Sequence, residues 1–277
     1  MNRLLPTLAV LLHAVVFCTT AAHAQAQSAA PAIPKSKDKF HLYLLIGQSN
    51  MAGRGAIEDQ DRKEHPRVLM LTKANAWAPA LDPLHFDKPI AGVGLGSTFG
   101  RIMADADPSV TIGLVPCAVG GTPLARWQKD GDLYKQAMVR IQAALKDGTL
   151  KGILWHQGEN DAGAKDTTDT YATRLVTMIG GLRKDLDAPE VPLVAGKLGE
   201  FLKEDNNGKP SYWKAVNEQI ASVPTLAKNV AVVESSGLKH KGDVVHFDSA
   251  SLRELGKRYA DAMQRLQKGA GTAATRR

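Results

Sequence analysis

The chain has 277 residues, of which 44% are hydrophobic and 23% are charged, and its formal net charge at pH 7 is +7. This length and apolar content suit one large domain with a well-buried core. The basic residues form no stripe with interleaved aromatic side chains, which argues against a nucleic-acid-binding protein.

The first 24 residues have the layout of a cleaved secretory signal. A positive start at Arg3 precedes an apolar stretch that ends at Phe17, and an A-x-A cleavage site ends at Ala24. The apolar stretch is too short to span a membrane. We therefore expect cleavage near Ala24 and an exported protein, periplasmic or secreted, without a membrane span. Cleavage removes Cys18 and leaves Cys117 as the single cysteine, which excludes an internal disulfide.

Composition divides the rest of the chain into three parts. Residues 25–37 are rich in Ala, Pro, Ser and Lys without apolar periodicity, which predicts a disordered leader. Residues 269–277 predict a disordered tail for the same reason. The domain is expected to span residues 38–268.

Within this domain, short apolar runs alternate with helical patterns, which predicts an α/β fold with a parallel sheet. The apolar cores of the runs are nearly continuous, as in strands covered on both faces. The predicted strands are residues 40–46, 68–71, 111–115, 152–156, 192–195 and 230–233. The predicted helices are residues 97–106, 132–146, 168–186, 212–222 and 249–267.

Residues 53–96 fit this alternation poorly. They contain one short predicted strand followed by a long stretch interrupted by prolines and glycines. Long irregular segments are uncommon in compact domains and are often functional. Our hypothesis is that this segment packs over the mouth of a functional site.

Four polar segments follow predicted strands, where ligands bind in open α/β sheets. The first contains Gln48, Ser49 and Asn50, directly after the first strand. A serine on a tight turn is exposed beside backbone N–H groups, which is typical of a nucleophile. The segment does not match the G-x-S-x-G elbow of α/β-hydrolases, and it is also compatible with an ordinary polar turn.

The second segment contains Asp243 and His246, late in the chain. A serine nucleophile needs a general base, and the base needs an acidic partner that fixes its tautomer. An aspartate and a histidine three residues apart can supply both from one loop. The alternative is a surface aspartate beside a partly buried histidine.

The third segment, residues 155–161, crowds polar side chains at the end of a strand. Buried polar groups need partners or a ligand. The amide of Gln157 is a candidate donor to a developing oxyanion. Glu159 is a candidate to bind a substrate hydroxyl, to orient a neighbour, or to replace Asp243 as the acid. A solvated loop with Asp161 as a helix cap is the alternative.

The fourth segment contains Gly120, Gly121 and Thr122 and is followed by Trp127. Paired glycines allow backbone N–H groups to approach a ligand closely. Trp127 offers a flat apolar face that could stack on a sugar ring, or it could belong to the core.

Together, and in this order, these segments resemble the carbohydrate esterases of the SGNH-hydrolase superfamily, specifically the sialate O-acetylesterase-like and acetylxylan esterase group. The resemblance covers most of the chain after the leader. It implies a three-layer α/β/α sandwich of the flavodoxin-like type with a five-stranded parallel sheet. It also implies a serine esterase that removes acetyl groups from a carbohydrate. The sequence has no zinc-type ligand spacing, so we expect no metal or cofactor.

The resemblance assigns roles to particular positions. Ser49 matches the nucleophile and supplies one oxyanion N–H, while His246 matches the general base. Gly121, with Gly120 as the alternative, and Gln157 match the other oxyanion donors. The acid is Asp243 or Glu159. Candidate substrate-binding residues are Gln48, Asn50, Gly120, Thr122, Trp127 and Glu159.

Two other functions remain open: hydrolysis of non-carbohydrate acyl esters or thioesters by the same fold, and a non-catalytic carbohydrate-binding protein.

Overall fold

The computed structural model describes residues 32–203 and 210–274. The predicted signal peptide and most of the predicted leader lie outside these residues. None of the described helices has both the length and the apolar character needed to cross a membrane.

A seven-stranded sheet forms the centre of the molecule. Its strands are β1 (Phe40–Gly47), β2 (Val68–Leu71), β3 (Trp77–Pro79), β4 (Thr111–Pro116), β5 (Thr149–His156), β6 (Leu193–Gly196) and β7 (Val230–Val233). Their spatial order is β3-β2-β4-β1-β5-β6-β7, and every neighbouring pair is parallel except β2 and β3.

All six predicted strands are present, but the predicted count of five strands is wrong. The sheet also contains β3, a three-residue antiparallel edge strand that ends in Pro79. Proline is tolerated at a sheet edge because no ladder hydrogen bond is needed there. A strand this short gives no recognisable pattern in the sequence.

Helices flank the sheet on both sides. They are α1 (Ser49–Ala52), α2 (Leu95–Ala106), α3 (Asp132–Ala144), α4 (Lys165–Asp169), α5 (Tyr171–Asp185), α6 (Trp213–Leu226) and α7 (Ser249–Ala274). The helix predicted at residues 168–186 is divided at Thr170 into α4 and α5. The last helix continues beyond its predicted end and into the predicted tail, so that boundary is wrong.

Two hydrophobic cores lie on opposite faces of the sheet, which confirms the three-layer architecture. On β1, Leu42 and Leu44 point into one core, where α3, α5 and α6 also pack. Tyr43 and Leu45 point into the other core, with α2 and α7. This alternation follows from the two-residue period of a strand. Because both faces are covered, the strand sequences are apolar almost throughout.

The three central strands bring three of the four polar segments together. β4, β1 and β5 are adjacent and parallel, so their carboxyl ends meet at one edge. β1 leads into Ser49, β4 leads towards the glycine pair, and β5 leads into Gln157. The loop before α7 completes this group from the far end of the chain.

Candidate active site

Ser49 lies on a tight turn between β1 and α1. Gly47 has φ +135°, and a Cβ atom at this position would lie 2.2 Å from the carbonyl oxygen of His156. Only glycine avoids this collision and adopts this conformation without strain. The turn is therefore held directly against the end of β5, with Ser49 on the lining of a cleft of about 330 Å³.

The structure brings Ser49, His246 and Asp243 into one hydrogen-bonded chain. Ser49 Oγ lies 3.0 Å from His246 Nε2. His246 Nδ1 lies 2.7 Å from Asp243 Oδ2. An ionised aspartate accepts only, so Nδ1 carries the proton and Nε2 keeps a lone pair facing the serine hydroxyl. This is the geometry that a serine nucleophile and its general base require.

The carboxyl group of Asp243 is held in its ionised form. Its Oδ1 accepts the backbone N–H groups of His246 at 2.8 Å and Val245 at 3.0 Å. Partial burial opposes ionisation of Asp243, but the hydrogen bonds from His246 and Val245 outweigh it and lower the pKa to about 2. Asp243 is therefore negatively charged at neutral pH and stabilises a positive charge on His246.

Glu159 lines the same cleft but is not hydrogen-bonded to His246. Its Oε1 accepts a hydrogen bond of 2.5 Å from Asn50 Nδ2, and burial raises its pKa. Asn50 also donates to the carbonyl of Val245 and accepts the N–H of Phe247. Asn50 is thus a buried bridge between Glu159 and the loop that carries His246. Its predicted contact with substrate is not supported, because it does not line the cleft.

Two backbone N–H groups beside Ser49 are available to a ligand. The N–H of Gly120 is not available to a ligand, because it donates a hydrogen bond to Asp87 Oδ2 at 2.8 Å. Gly121 has φ +77°, and among the described residues no acceptor contacts its N–H. The same holds for the N–H of Ser49, the first residue of α1. Of the two glycines left open by the sequence, the geometry therefore favours Gly121 as an oxyanion donor.

A buried ion pair, not predicted from the sequence, holds the glycine pair in place. Arg54 Nη2 lies 2.6 Å from Asp87 Oδ2, and both side chains are only 1% exposed. Arg54 also donates to the carbonyl of Gly53 at 2.7 Å. Burial opposes ionisation of Asp87, but Arg54 and the N–H of Gly120 outweigh it and lower the pKa. The pair thus connects the turn after Ser49 to the glycine loop.

The long irregular segment lies at this cleft, as hypothesised. Lys88 and Ile90 line the cleft together with Arg54, while Asp87 supports it from behind. The interruption of the sequence pattern between residues 53 and 96 was therefore a signal of the site, although it did not identify the residues involved.

Gln157 does not have the geometry of an oxyanion donor, which corrects that prediction. Its Nε2 lies within 3.1 Å of Gln48 Oε1, 3.0 Å of the Thr122 carbonyl and 2.7 Å of Asp161 Oδ2. Its Oε1 accepts a hydrogen bond from Tyr171, and the residue is completely buried. The amide has only two N–H groups, and these internal acceptors use both. Gln157 instead joins the three segments beneath the cleft.

Replacing Gln157 by alanine is therefore expected to lower stability. Each buried polar partner left unsatisfied costs about 1–3 kcal/mol. For a domain of this size, 1 kcal/mol corresponds to roughly 2–4 °C in Tm. Scanning calorimetry should show a Tm lower by roughly 2–12 °C. An unchanged Tm combined with a hundred-fold or greater loss of kcat, of the size typical for a lost oxyanion donor, would restore the original assignment.

Two of the predicted substrate-binding residues belong to the interior. Trp127 is 1% exposed and packs edge-on against Trp155, with ring centroids 5.7 Å apart. Its indole N–H donates to Thr122 Oγ1, and that hydroxyl donates to the carbonyl of Val119. The stacking role of Trp127 and the binding role of Thr122 are therefore wrong. Gln48, Gly120 and Glu159 do line the cleft.

Cys117 is not among the residues that line the cleft. Burial raises the pKa of Cys117 to about 11, which disfavours its thiolate. Within residues 32–203 and 210–274, no group of three histidine, cysteine or carboxylate side chains is placed to hold a metal ion.

The sheet thus lies between two helical layers, and the hydrogen-bonded chain of Ser49, His246 and Asp243 lies at its carboxyl edge. A family model described as carbohydrate esterase, sialic acid-specific acetylesterase, matches residues 39–265. A probable carbohydrate esterase of Arabidopsis thaliana is 30% identical over 241 residues, which are 80% of this chain and 89% of that protein. The chain belongs to this family of carbohydrate acetylesterases, which are carboxylic ester hydrolases.

Solved structures agree with this fold. The crystal structure of a protein from Arabidopsis thaliana is similar with a TM-score of 0.74 and 29% identity, covering 81% of this chain and 97% of that one. The crystal structure of NanS is similar with a TM-score of 0.68 and 19% identity, covering 84% of this chain and 99% of that one.

Proposed function

We propose that this protein is a serine esterase that removes O-acetyl groups from a carbohydrate through an acyl-enzyme, with Ser49 as the nucleophile. The observation that carries this proposal is the chain of hydrogen bonds from Ser49 Oγ through His246 to Asp243. Because all three groups are in bonding geometry, a non-catalytic binding protein on the same scaffold is disfavoured.

In the first half-reaction, His246 Nε2 takes the proton of Ser49 as the hydroxyl attacks the ester carbonyl. Asp243 stabilises the resulting imidazolium through its 2.7 Å contact with Nδ1. The imidazolium then protonates the departing sugar oxygen. In the second half-reaction, the same histidine activates a water molecule that releases acetate and regenerates Ser49.

The N–H groups of Ser49 and Gly121 stabilise the oxyanion of each tetrahedral intermediate. Donors fixed by the fold need no reorganisation when the negative charge develops, and each is typically worth about 2.7–4 kcal/mol. The ion pair of Arg54 and Asp87 keeps the glycine loop in register with the serine turn.

The ammonium group of Lys88 in the cleft lining favours an acidic sugar of the sialate type over neutral xylan. Arg54 is balanced by Asp87, whereas Lys88 is exposed and no described residue pairs with it. The Lys88 ammonium lies 4.0 Å from the position of a Cβ atom on Gly121, so it is close to the oxyanion donors. A sugar carboxylate bound near the acetyl group would complement this positive charge.

The test compares acetate release from O-acetylated sialic acid, acetylated xylo-oligosaccharide and an aryl acetate, in wild type and Lys88→Gln. An exposed ion pair contributes about 0.2–1 kcal/mol, so KM for the acidic sugar should rise roughly 1.4–5-fold. KM for the two neutral substrates should not change, and Lys88→Arg should behave as wild type. Equal KM changes for all three substrates would refute charge recognition by Lys88.

A further inference from the structure

The loop that carries Asp243 and His246 folds back on itself. The N–H of Lys241 donates to the His246 carbonyl, and the N–H of Asp248 donates to the Lys239 carbonyl, both at 2.9 Å. These bonds close the base of the loop, where His240 and Phe247 form an antiparallel bridge. The apex, residues 242–245, lies beyond this base, and the carbonyl of Val245 accepts a hydrogen bond of 3.2 Å from Asn50 of α1.

Two side chains of the loop bind the backbone N–H groups near its apex. Asp243 Oδ1 accepts those of Val245 and His246. His240 Nδ1 accepts those of Gly242 at 2.9 Å and Val244 at 3.2 Å. Since this nitrogen accepts two hydrogen bonds, it carries a lone pair, and the imidazole is the neutral tautomer protonated at Nε2. His240 therefore fixes the backbone of Gly242 and Val244, as Asp243 fixes the backbone of Val245 and His246.

The apex needs such support because its backbone is strained. Val244 has φ +53°, a left-handed conformation that is a genuine outlier for a β-branched residue. Conformations of this kind cost on the order of 1–3 kcal/mol and persist only when surrounding contacts hold them. The hydrogen bond from the Val244 N–H to His240 is one such contact.

The ring of His240 is itself fixed by packing. It lies 5.3 Å from the ring of Phe201, measured between centroids, and Phe201 lies 4.9 Å from Phe247. This aromatic contact holds Nδ1 towards the apex. His240 is not among the residues that line the cleft, so it acts without touching substrate.

We propose that His240 is a positioning residue of the esterase: its Nδ1 holds residues 242–245 in the shape that aligns Asp243 with His246 and His246 with Ser49. The expected effect of His240 on turnover rests on the proposed function. Its effect on the geometry of the loop is independent of any substrate. A misplacement of about 1 Å in a catalytic group can cost about a hundred-fold in rate. The loss should appear in kcat, because the substrate contacts are unchanged.

The test uses two replacements that separate packing from hydrogen bonding. His240→Phe keeps a ring against Phe201 but removes the acceptor. His240→Asn keeps an acceptor, since Oδ1 of asparagine lies close to the position of Nδ1, but removes the ring. We expect kcat to fall roughly 10–100-fold in His240→Phe, with KM within about two-fold of wild type. His240→Asn should recover most of this loss.

His65→Phe is the matched control. His65 Nδ1 also accepts a backbone N–H, from Arg67 at 3.2 Å, but it does not line the cleft. This variant should turn over substrate as wild type does. Wild-type turnover in His240→Phe would overturn the proposal. So would an equal loss of activity in His240→Phe and His240→Asn accompanied by an equal drop in Tm.

A second readout does not depend on any substrate. The proton on His246 Nδ1, bonded to Asp243, should give a far-downfield resonance in the proton NMR spectrum. We expect this resonance in wild type, His240→Asn and His65→Phe, and its shift or loss in His240→Phe. An unchanged resonance in His240→Phe would overturn the positioning role. If wild type hydrolyses no ester while the resonance behaves as expected, the proposed function fails and the positioning role stands.

Discussion

Replacing Ser49 by alanine should abolish ester hydrolysis, with kcat falling by roughly a million-fold, the scale measured for the nucleophile of one serine protease. The serine oxygen is the atom that forms the acyl-enzyme, and the second half-reaction has no substrate without it. Ser49 is 5% exposed and the substitution removes a single oxygen atom, so the fold should be retained.

The measurement is acetate release, together with mass spectrometry of protein treated with a fluorophosphonate. Wild type should gain one adduct on Ser49, and Ser49→Ala should gain none. Ser222→Ala is a suitable control, because the Ser222 hydroxyl only donates to the carbonyl of Gln219 within α6. Hydrolysis that persists at the wild-type rate in purified Ser49→Ala would show that another group is the nucleophile.

Replacing Asp243 by asparagine should lower kcat about ten-thousand-fold, the effect measured for the equivalent change in a serine protease of the chymotrypsin type. An asparagine can present its amide N–H to His246 Nδ1. That nitrogen then accepts a hydrogen bond, and the imidazole ring carries its proton at Nε2 instead. In that tautomer His246 has no lone pair facing Ser49. The effect is chemical rather than steric, because the side chain keeps its size.

Glu159→Gln provides the comparison that separates the two candidate acids. The glutamine keeps an oxygen to accept the hydrogen bond from Asn50, so at most one contact changes, worth about 0.5–1.5 kcal/mol. Turnover should therefore fall by roughly ten-fold or less. If Glu159→Gln were the severe variant and Asp243→Asn the mild one, the acid would have been assigned to the wrong loop.

Much of the fold could be predicted from the sequence, because a strand that is buried on both faces of the sheet has a nearly continuous apolar sequence. β1 and β4 are nearly continuous apolar runs, and the polar segments that follow them mark the carboxyl edge. The edge strand β3 has no such apolar run, since it has only three residues and one neighbouring strand. The division at Thr170 could not be predicted either, because no proline or glycine marks it in the sequence.

The direction of individual side chains could not be predicted, because it depends on neighbours that are distant in sequence. Trp127 could have faced the cleft, but Trp155 offers it an apolar partner in the core. Gln157 could have faced a substrate, but Asp161 and Thr122 supply acceptors beneath it. Asp87 and Arg54 are 33 positions apart, and no local pattern indicates that they pair. Sequence patterns identified the segments of the site, and tertiary packing determined which atoms face the cleft.

Ser49 and His246 are 197 positions apart, one on the turn after the first strand and the other on the loop before the last helix. A growing chain therefore contains an inert serine hydroxyl until the segment that carries His246 has been synthesised. The same separation makes hydrolysis a sensitive reporter of the completed fold. Local detachment of the loop before α7 would remove the base from the serine while the sheet remains intact. We therefore expect activity to be lost at a lower denaturant concentration than the bulk secondary structure.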